Sequence, residues 1–94
     1  MSLVVVDASA VAALVFLEDG ADDVARRLSG SDLAAPDLLP YEIANVAAMK
    51  VRRRLATREV AAEALRLFCR LDVRLHPVDP VRAFDAAART GLTA

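Results

Sequence analysis

The feature that most constrains the fold is a short apolar run near the start of the chain, Leu3 to Val6. The run is wholly aliphatic and rich in β-branched valine, which is typical of a strand covered on both faces. It ends in Asp7, and Ala8 to Leu17 then predict a helix that is apolar nearly all round and that ends at Gly20. A buried strand that leads into a buried helix is typical of a layered α/β domain.

The rest of the chain continues this alternation. Leu33–Ala35, which Pro36 cuts off, predicts a second strand, and Val73–Val78 predicts a third. Four further helices are predicted. The second begins at Asp22 and Asp23 and is stopped by Gly30, and the third runs from Pro40 to about Arg54. Thr57 caps the fourth, which has an apolar stripe at Val60, Ala64, Phe68 and Leu71, and Asp79 caps the fifth, which Gly91 stops. Strands that alternate with helices favour right-handed crossovers and a parallel sheet. We therefore expect a single α/β domain over residues 1–94.

Composition excludes some classes of protein. The net charge of −1 gives no global basic field. The single Cys69 has no partner for an internal disulfide, which favours a reducing compartment. The longest apolar stretch, Ala8 to Leu17, is far shorter than a membrane span. We expect a cytoplasmic protein without a membrane segment.

Asp7 lies where α/β folds carry their chemistry. Ligands bind at the carboxyl ends of parallel strands, and Asp7 directly follows the first predicted strand. The structural alternative is that Asp7 or Ser9 caps the following helix, which either side chain does well. Both interpretations stay open at this point.

A second carboxylate, Glu42, falls in the first turn of the third predicted helix. An acid there also complements the helix dipole and needs no function. Asn45 lies one turn further on and shares a helix face with Glu42, so both side chains can point to one place. Together with Asp7, these residues are more informative than any one of them alone.

Basic residues cluster around the turn between the third and fourth predicted helices: Lys50, Arg52, Arg53, Arg54 and Arg58. Such a cluster is typical of a contact with an RNA backbone. Cations are also favoured at a helix C-terminus without any function. Lys50 and Arg53 are the better RNA-binding candidates, whereas Arg54 and Arg58 fit the structural interpretation.

Three stretches together resemble the PIN-domain nuclease family, especially the VapC-like toxins of bacterial type II toxin–antitoxin pairs. They are Val4 to Ala10, where an apolar strand leads into Asp-Ala-Ser-Ala; Leu33 to Asn45, which reads Leu-Ala-Ala-Pro-Asp-Leu-Leu-Pro-Tyr-Glu-Ile-Ala-Asn; and Thr90 to Ala94. Their order and spacing agree along the whole chain, including a two-helix crossover between the second and third strands. The segment from Leu38 to Asn45 is the most specific part.

The resemblance implies a three-layer α/β/α fold and a ribonuclease that depends on Mg²⁺ or Mn²⁺. Asp7 and Glu42 match the family's metal-binding acids, and Ser9 and Asn45 match its supporting hydroxyl and amide groups. Hard divalent cations take oxygen ligands, usually one or two carboxylates with waters and phosphate oxygens. Carboxylates gathered without the cation are expected to have raised pKa values. An RNA substrate, a cognate antitoxin and a homodimer are also implied.

The C-terminal end of this sequence departs from the pattern of the family. Family members continue into a helix with a third aspartate and then into further strands, whereas this sequence ends at Ala94, just after Thr93, the expected cap of that helix. The resemblance therefore implies a domain that is truncated at its C-terminal end and an exposed apolar edge along Leu3 to Val6. It also implies that the 94 residues by themselves are neither a competent nuclease nor a stable monomer.

Two other classes of function compete with the nuclease. A non-catalytic module that binds an antitoxin or oligomerises is supported by the apolar surface of the first, second and fourth helices. A phosphatase or phosphotransfer domain with Asp7 as nucleophile is disfavoured, because haloacid-dehalogenase-like phosphatases need an acid two residues on, where this chain has Ser9. An encoded aspartate two residues after Ala94 favours the enzyme over the module.

Overall fold

The computed structural model describes residues 3–90, so the predicted roles of Gly91 and Thr93 and the matching stretch after Thr90 lie outside the described residues. The described chain forms three strands and five helices. Their bounds are β1 (Leu3–Val5), α1 (Ala8–Val15), α2 (Ala21–Leu28), β2 (Asp32–Pro36), α3 (Leu39–Arg52), α4 (Arg58–Arg70), β3 (Val73–His76) and α5 (Pro80–Thr90).

The strands form a parallel sheet in the order β1-β2-β3, with Val5 paired to Ala34 and Ala35 paired to Leu75. Each crossover contains two helices, because α1 and α2 connect β1 to β2, and α3 and α4 connect β2 to β3. The predicted α/β class with a parallel sheet is confirmed, and the arrangement is consistent with an α/β/α layered fold. No helix within residues 3–90 has the length and apolar character needed to cross a membrane.

The core lies between one face of the sheet and helices α1, α3 and α4. Helix α1 packs against α2, α3 and α4, and α3 packs against α4. The largest fully buried side chains are those of Val11, Leu39 and Ile43, and Ile43 has 0% of its surface exposed. Because Leu39 and Ile43 lie one turn apart, they fix the first turns of α3 against the sheet.

The expectation that β1 is covered on both faces is wrong. Val6 belongs to the buried core, but Leu3 is 60% and Val5 is 71% exposed. Side chains alternate between the two faces of a strand, so the helices that bury Val4 and Val6 leave Leu3 and Val5 uncovered. Strand β1 is also an edge strand of the described sheet, so the apolar edge expected along Leu3 to Val6 is exposed at Leu3 and Val5 but not at Val6.

The predicted N-caps Thr57 and Asp79 are confirmed, whereas the predicted end of α1 at Gly20 is wrong. The Thr57 hydroxyl accepts a hydrogen bond from the Val60 N–H at 3.1 Å, and the Asp79 carboxylate accepts one from the Val81 N–H at 3.0 Å. Gly20 does not end α1 as the sequence predicted. Gly20 is instead the N-cap of α2, with a φ of +90° that suits glycine. Helix α1 ends earlier, at Val15, and Leu17 has a φ of +53°.

The apolar stripe predicted on α4 is confirmed at Ala64, Phe68 and Leu71 and is wrong at Val60. Val60 is exposed, and the buried positions are Ala61 and Ala64. Phe68 and Leu71 pack at the margin of the core, as expected from helical spacing.

Candidate active site at the carboxyl edge of the sheet

Asp7 directly follows the carboxyl end of β1 and is the N-cap of α1. Its Oδ1 accepts a hydrogen bond from the Ala10 N–H at 2.9 Å and another from the Ser9 Oγ at 3.1 Å. Both hydrogen bonds end on Oδ1, so neither of them occupies Oδ2. The capping and functional interpretations of Asp7 are therefore compatible, because one carboxylate oxygen caps the helix and the other stays accessible.

The pKa of the Asp7 carboxyl is lowered from its ordinary value of 3.8, chiefly by the Ala10 N–H and then by the Ser9 hydroxyl. The expectation of a raised pKa is wrong for this residue. Hydrogen bonds that stabilise the ionised form outweigh the small opposing effect of desolvation, since Asp7 is exposed. Asp7 is consequently ionised at neutral pH, as a metal ligand must be.

Glu42 lies in the first turn of α3, and Asn45 follows one turn later on the same exposed side. The buried Ile43 between them anchors this turn in the core. No side chain caps the start of α3, where Leu38 is the N-cap residue. The Glu42 carboxylate makes no ion pair with any side chain that the structure describes, so its oxygens are available to a ligand.

The topology brings Asp7 and Glu42 to the same edge of the sheet. The two acids lie at the starts of α1 and α3, which follow the neighbouring parallel strands β1 and β2 and pack against each other. A hydrogen bond of 2.8 Å from the Val6 N–H to the Ala34 carbonyl extends the strand pairing up to Asp7. Among the described residues, no three His, Cys, Asp or Glu side chains form a ready-made metal cluster.

Asp37 is a further carboxylate at this edge that the candidate residues from the sequence did not include. It directly follows β2, is exposed, and its backbone N–H donates a 2.8 Å hydrogen bond to the His76 carbonyl at the end of β3. The signal was available, since Asp37 follows the second strand as Asp7 follows the first. Applying the strand-end rule to both strands identifies both residues.

The two candidate RNA-binding cations have different surroundings. The Lys50 Nζ lies 2.8 Å from the Glu18 Oε1 and 5.1 Å from the centre of the Phe16 ring, and the Lys50 side chain is only 16% exposed. Its charge is thus compensated inside the molecule, where it ties α3 to the end of α1. Arg53 is exposed at the C-cap of α3 and remains the more accessible of the two cations.

Comparison with known proteins does not assign a family, since no protein-family model and no curated protein matches this chain significantly. Function is therefore inferred from the residues at the carboxyl edge of the sheet. These residues carry oxygen atoms, and they lie just after β1 and β2 or in the first two turns of α1 and α3: Asp7, Ser9, Asp37, Glu42 and Asn45.

Proposed function

We propose that this protein is a metal-dependent endoribonuclease of the PIN-domain type, acting as the toxin of a toxin–antitoxin pair. The observation that carries the proposal is the shared position of Asp7 and Glu42 at the starts of two helices that pack together. Ser9 donates a hydrogen bond to Asp7, and Asn45 follows Glu42, as the resemblance to that family implies. The reaction is the hydrolysis of an RNA phosphodiester bond.

The donors at this edge fit Mg²⁺ or Mn²⁺. Carboxylate, hydroxyl and amide oxygens are hard ligands, and one or two carboxylates with waters are the usual protein contribution to a Mg²⁺ site. Asp7 and Glu42 would hold the ion, and the lowered pKa of Asp7 keeps its carboxylate charged at neutral pH. When bound, the cation supplies an activated water and neutralises charge that develops on the phosphodiester.

The chain's own residues have separate tasks in this proposal. The Ser9 hydroxyl and the Ala10 N–H hold the Asp7 carboxylate in one orientation through Oδ1, which leaves Oδ2 for the ligand. Glu42 adds the second negative charge, and the amide of Asn45 can donate to a phosphate oxygen. The exposed guanidinium of Arg53 can contact the RNA backbone beyond the site.

The partners and location follow from the same proposal. A cognate antitoxin would cover apolar surface, and the chain would form a homodimer in the cytoplasm. Large apolar side chains support such contacts, because Leu55, Val81 and Phe84 are each more than half exposed.

A non-catalytic interaction module is the second candidate. Its support is that Asp7 already has a structural task as a helix cap, together with the exposed apolar side chains of α4 and α5. An N-cap needs no metal to explain its presence. This candidate predicts partner binding without RNA hydrolysis.

RNA cleavage by the complete gene product distinguishes the two candidates. With Mg²⁺ we expect cleavage that EDTA stops and that Asp7→Asn or Glu42→Gln abolishes. Asp22→Asn, which alters an exposed acid on α2, is the matched control and should cleave normally. An Asp7→Asn protein that cuts RNA at the wild-type rate contradicts the nuclease proposal.

A further inference from the structure

Four exposed arginines lie around the turn between α3 and α4, and we call this group the arginine turn: Arg52, Arg53, Arg54 and Arg58. None of them makes an ion pair with a side chain that the structure describes. The arginines at the end of α2 differ, because Arg26 and Arg27 both pair with Asp23. The positive charge of the arginine turn is therefore not neutralised by an ion pair in the described part of the molecule.

Arg54 has a backbone conformation that favours glycine. Its φ is +57°, and Leu17 is the other described residue with a positive φ that is not glycine. The Arg54 N–H donates a hydrogen bond of 3.1 Å to the Val51 carbonyl, at the end of α3. The Leu55 N–H donates one of 2.8 Å to the Lys50 carbonyl, which completes a Schellman motif. Glycine is usual at the central position of this motif because it has no Cβ, so arginine there costs stability.

Arg58 is unfavourably placed for its own helix. It is the first residue of α4, where the helix dipole disfavours a cation and favours an acid such as the neighbouring Glu59. The interpretation that these cations stabilise a helix C-terminus applies to Arg52, but it does not apply to Arg58. Folding alone therefore favours glycine in place of Arg54 and a neutral or acidic residue in place of Arg58. A bound anion explains why both are arginine.

An exposed strip of α3 leads from the candidate active site to the arginine turn. Exposed residues recur along it at helical spacing: Glu42, Asn45, Ala48 and Arg52. No residue of α3 after Glu42 is acidic, so no charge on the strip repels a polyanion. At about 1.5 Å of rise per residue, the strip is about 15 Å long. A nucleic-acid strand that advances about 3.4 Å per nucleotide covers this length with about four to five nucleotides.

We propose that the arginine turn binds the phosphate backbone of the RNA substrate, at the end of α3 away from the candidate active site. Guanidinium groups suit phosphate oxygens, because two parallel N–H groups can donate to one phosphate. One strand lying along the exposed strip would contact both sites. The choice of RNA rests on the proposed function. The unneutralised charge and the unfavourable positions of Arg54 and Arg58 do not.

The test measures the binding of a labelled single-stranded RNA by fluorescence anisotropy over a range of salt concentrations. EDTA is present, so the measurement involves no cleavage. The test variant carries Arg54→Gly and Arg58→Gln. Its matched control carries Arg26→Gln and Arg27→Gln, which change the net charge equally in the ion-paired arginines of α2. Leu17→Gly is the control for glycine at a positive φ. Urea unfolding of every protein measures stability.

We expect the test variant to bind RNA roughly 2- to 30-fold more weakly than wild type. The slope of log affinity against log salt concentration should become shallower by about 1.4, because two phosphate contacts to a single strand are lost. The control pair on α2 should change both quantities much less.

Stability should change in the opposite direction. The test variant should unfold at a higher urea concentration than wild type, because glycine relieves the positive φ and glutamine removes a cation from the start of α4. Leu17→Gly should also unfold at a higher urea concentration, but it should bind RNA normally. Weaker binding by a more stable protein excludes unfolding as its cause.

Four results would overturn the proposal. They are RNA binding that the test variant retains, an equal loss in the control pair on α2, a test variant less stable than wild type, and tighter binding of polyglutamate or DNA than of RNA. Polyglutamate represents an acidic protein segment, and DNA shares the phosphate chemistry. RNA binding that depends on the arginine turn, without cleavage in Mg²⁺, would refute the nuclease proposal alone. Cleavage that the test variant carries out with unchanged RNA affinity would refute this one alone.

Discussion

The two junctions at which a strand leads into a helix hold their acids in different ways. At the first junction, between β1 and α1, Asp7 is the N-cap and accepts two hydrogen bonds. At the second, between β2 and α3, no side chain caps the helix, and Glu42 lies in the first turn with its carboxylate exposed. The second junction is instead held by Leu39 and Ile43 in the core.

The two carboxylates therefore differ in how firmly the protein orients them before a ligand binds. Asp7 is oriented before any ligand arrives, because its Oδ1 is held by neighbouring residues. Glu42 has no such restraint, and a ligand must fix its rotamer at an entropic cost. Substitutions at the two acids should therefore affect the free energy of unfolding differently, even if both abolish metal binding.

The largest effect is expected from breaking the second junction at its anchor. Ile43 is fully buried, so Ile43→Ala should lower the free energy of unfolding by about 2–5 kcal/mol through lost burial and a residual cavity. Tyr41→Ala is the control, because Tyr41 is exposed on the same turn and should change stability by less than about 0.5 kcal/mol. Urea unfolding followed by circular dichroism measures both. Equal effects of the two substitutions would contradict the assignment of Ile43 as the anchor.

A smaller effect is expected at the first junction. Asp7→Ala removes the helix cap and should cost about 1 kcal/mol, whereas Asp7→Asn keeps an equally good capping side chain and should cost almost nothing. The same unfolding experiment compares them in the absence of divalent cations. A loss in Asp7→Asn as large as that in Asp7→Ala would mean that charge, and not capping, is what Asp7 contributes.

The pH dependence sharpens the same comparison. Because the pKa of Asp7 is lowered in the folded state, its contribution to stability is complete above the ordinary value of 3.8 and is lost as the pH falls from there through the folded-state pKa. Wild type should consequently lose stability relative to Asp7→Asn as the pH falls below 3.8. The difference between the two proteins cancels the titration of all other carboxylates. A difference that stays constant with pH would contradict the lowered pKa.

Glu42 should contribute least to folding. Glu42→Gln removes only a favourable interaction with the dipole of α3, worth about 0.3 kcal/mol for an exposed acid. Asp22→Gln, in the first turn of α2, is the matched control and should lose a similar amount. A loss above about 1 kcal/mol at Glu42 alone would indicate a structural partner that the described contacts do not include.

The local elements were largely predictable from the sequence because their signals are local. Thr57 and Asp79 cap the predicted helices, and the parallel sheet follows from the alternation of strands and helices. The apolar pattern of Leu3 to Val6 by itself predicted burial on both faces, and the exposure of Leu3 and Val5 differs from it because it depends on which face of the sheet the helices cover. The ion pair of Lys50 with Glu18 joins two distant parts of the sequence and has no local signature.

The sequence predicted where the candidate site lies better than it predicted the pKa of its carboxylates. The strand-end rule identifies Asp7, and it identifies Asp37 once it is applied to β2 as well. The expected direction of the pKa shift at Asp7 was wrong. A raised pKa was expected from neighbouring carboxylates, whereas the hydrogen bonds of the helix cap lower it. The spacing of the sequence shows which acids lie near a strand end, but it does not show which hydrogen-bond donors contact their carboxylate oxygens.

The central claim, that Asp7 and Glu42 bind one cation, is tested most directly by Mn²⁺-induced broadening of backbone amide signals in an NMR titration. We predict that the signals of Ser9 and Ala10 broaden together with those of Glu42 and Asn45, and that those of α2, with its exposed Asp22, broaden far less. Asp7→Asn should abolish the broadening at both junctions. Broadening confined to one junction, or equal broadening at α2, would contradict a shared metal site.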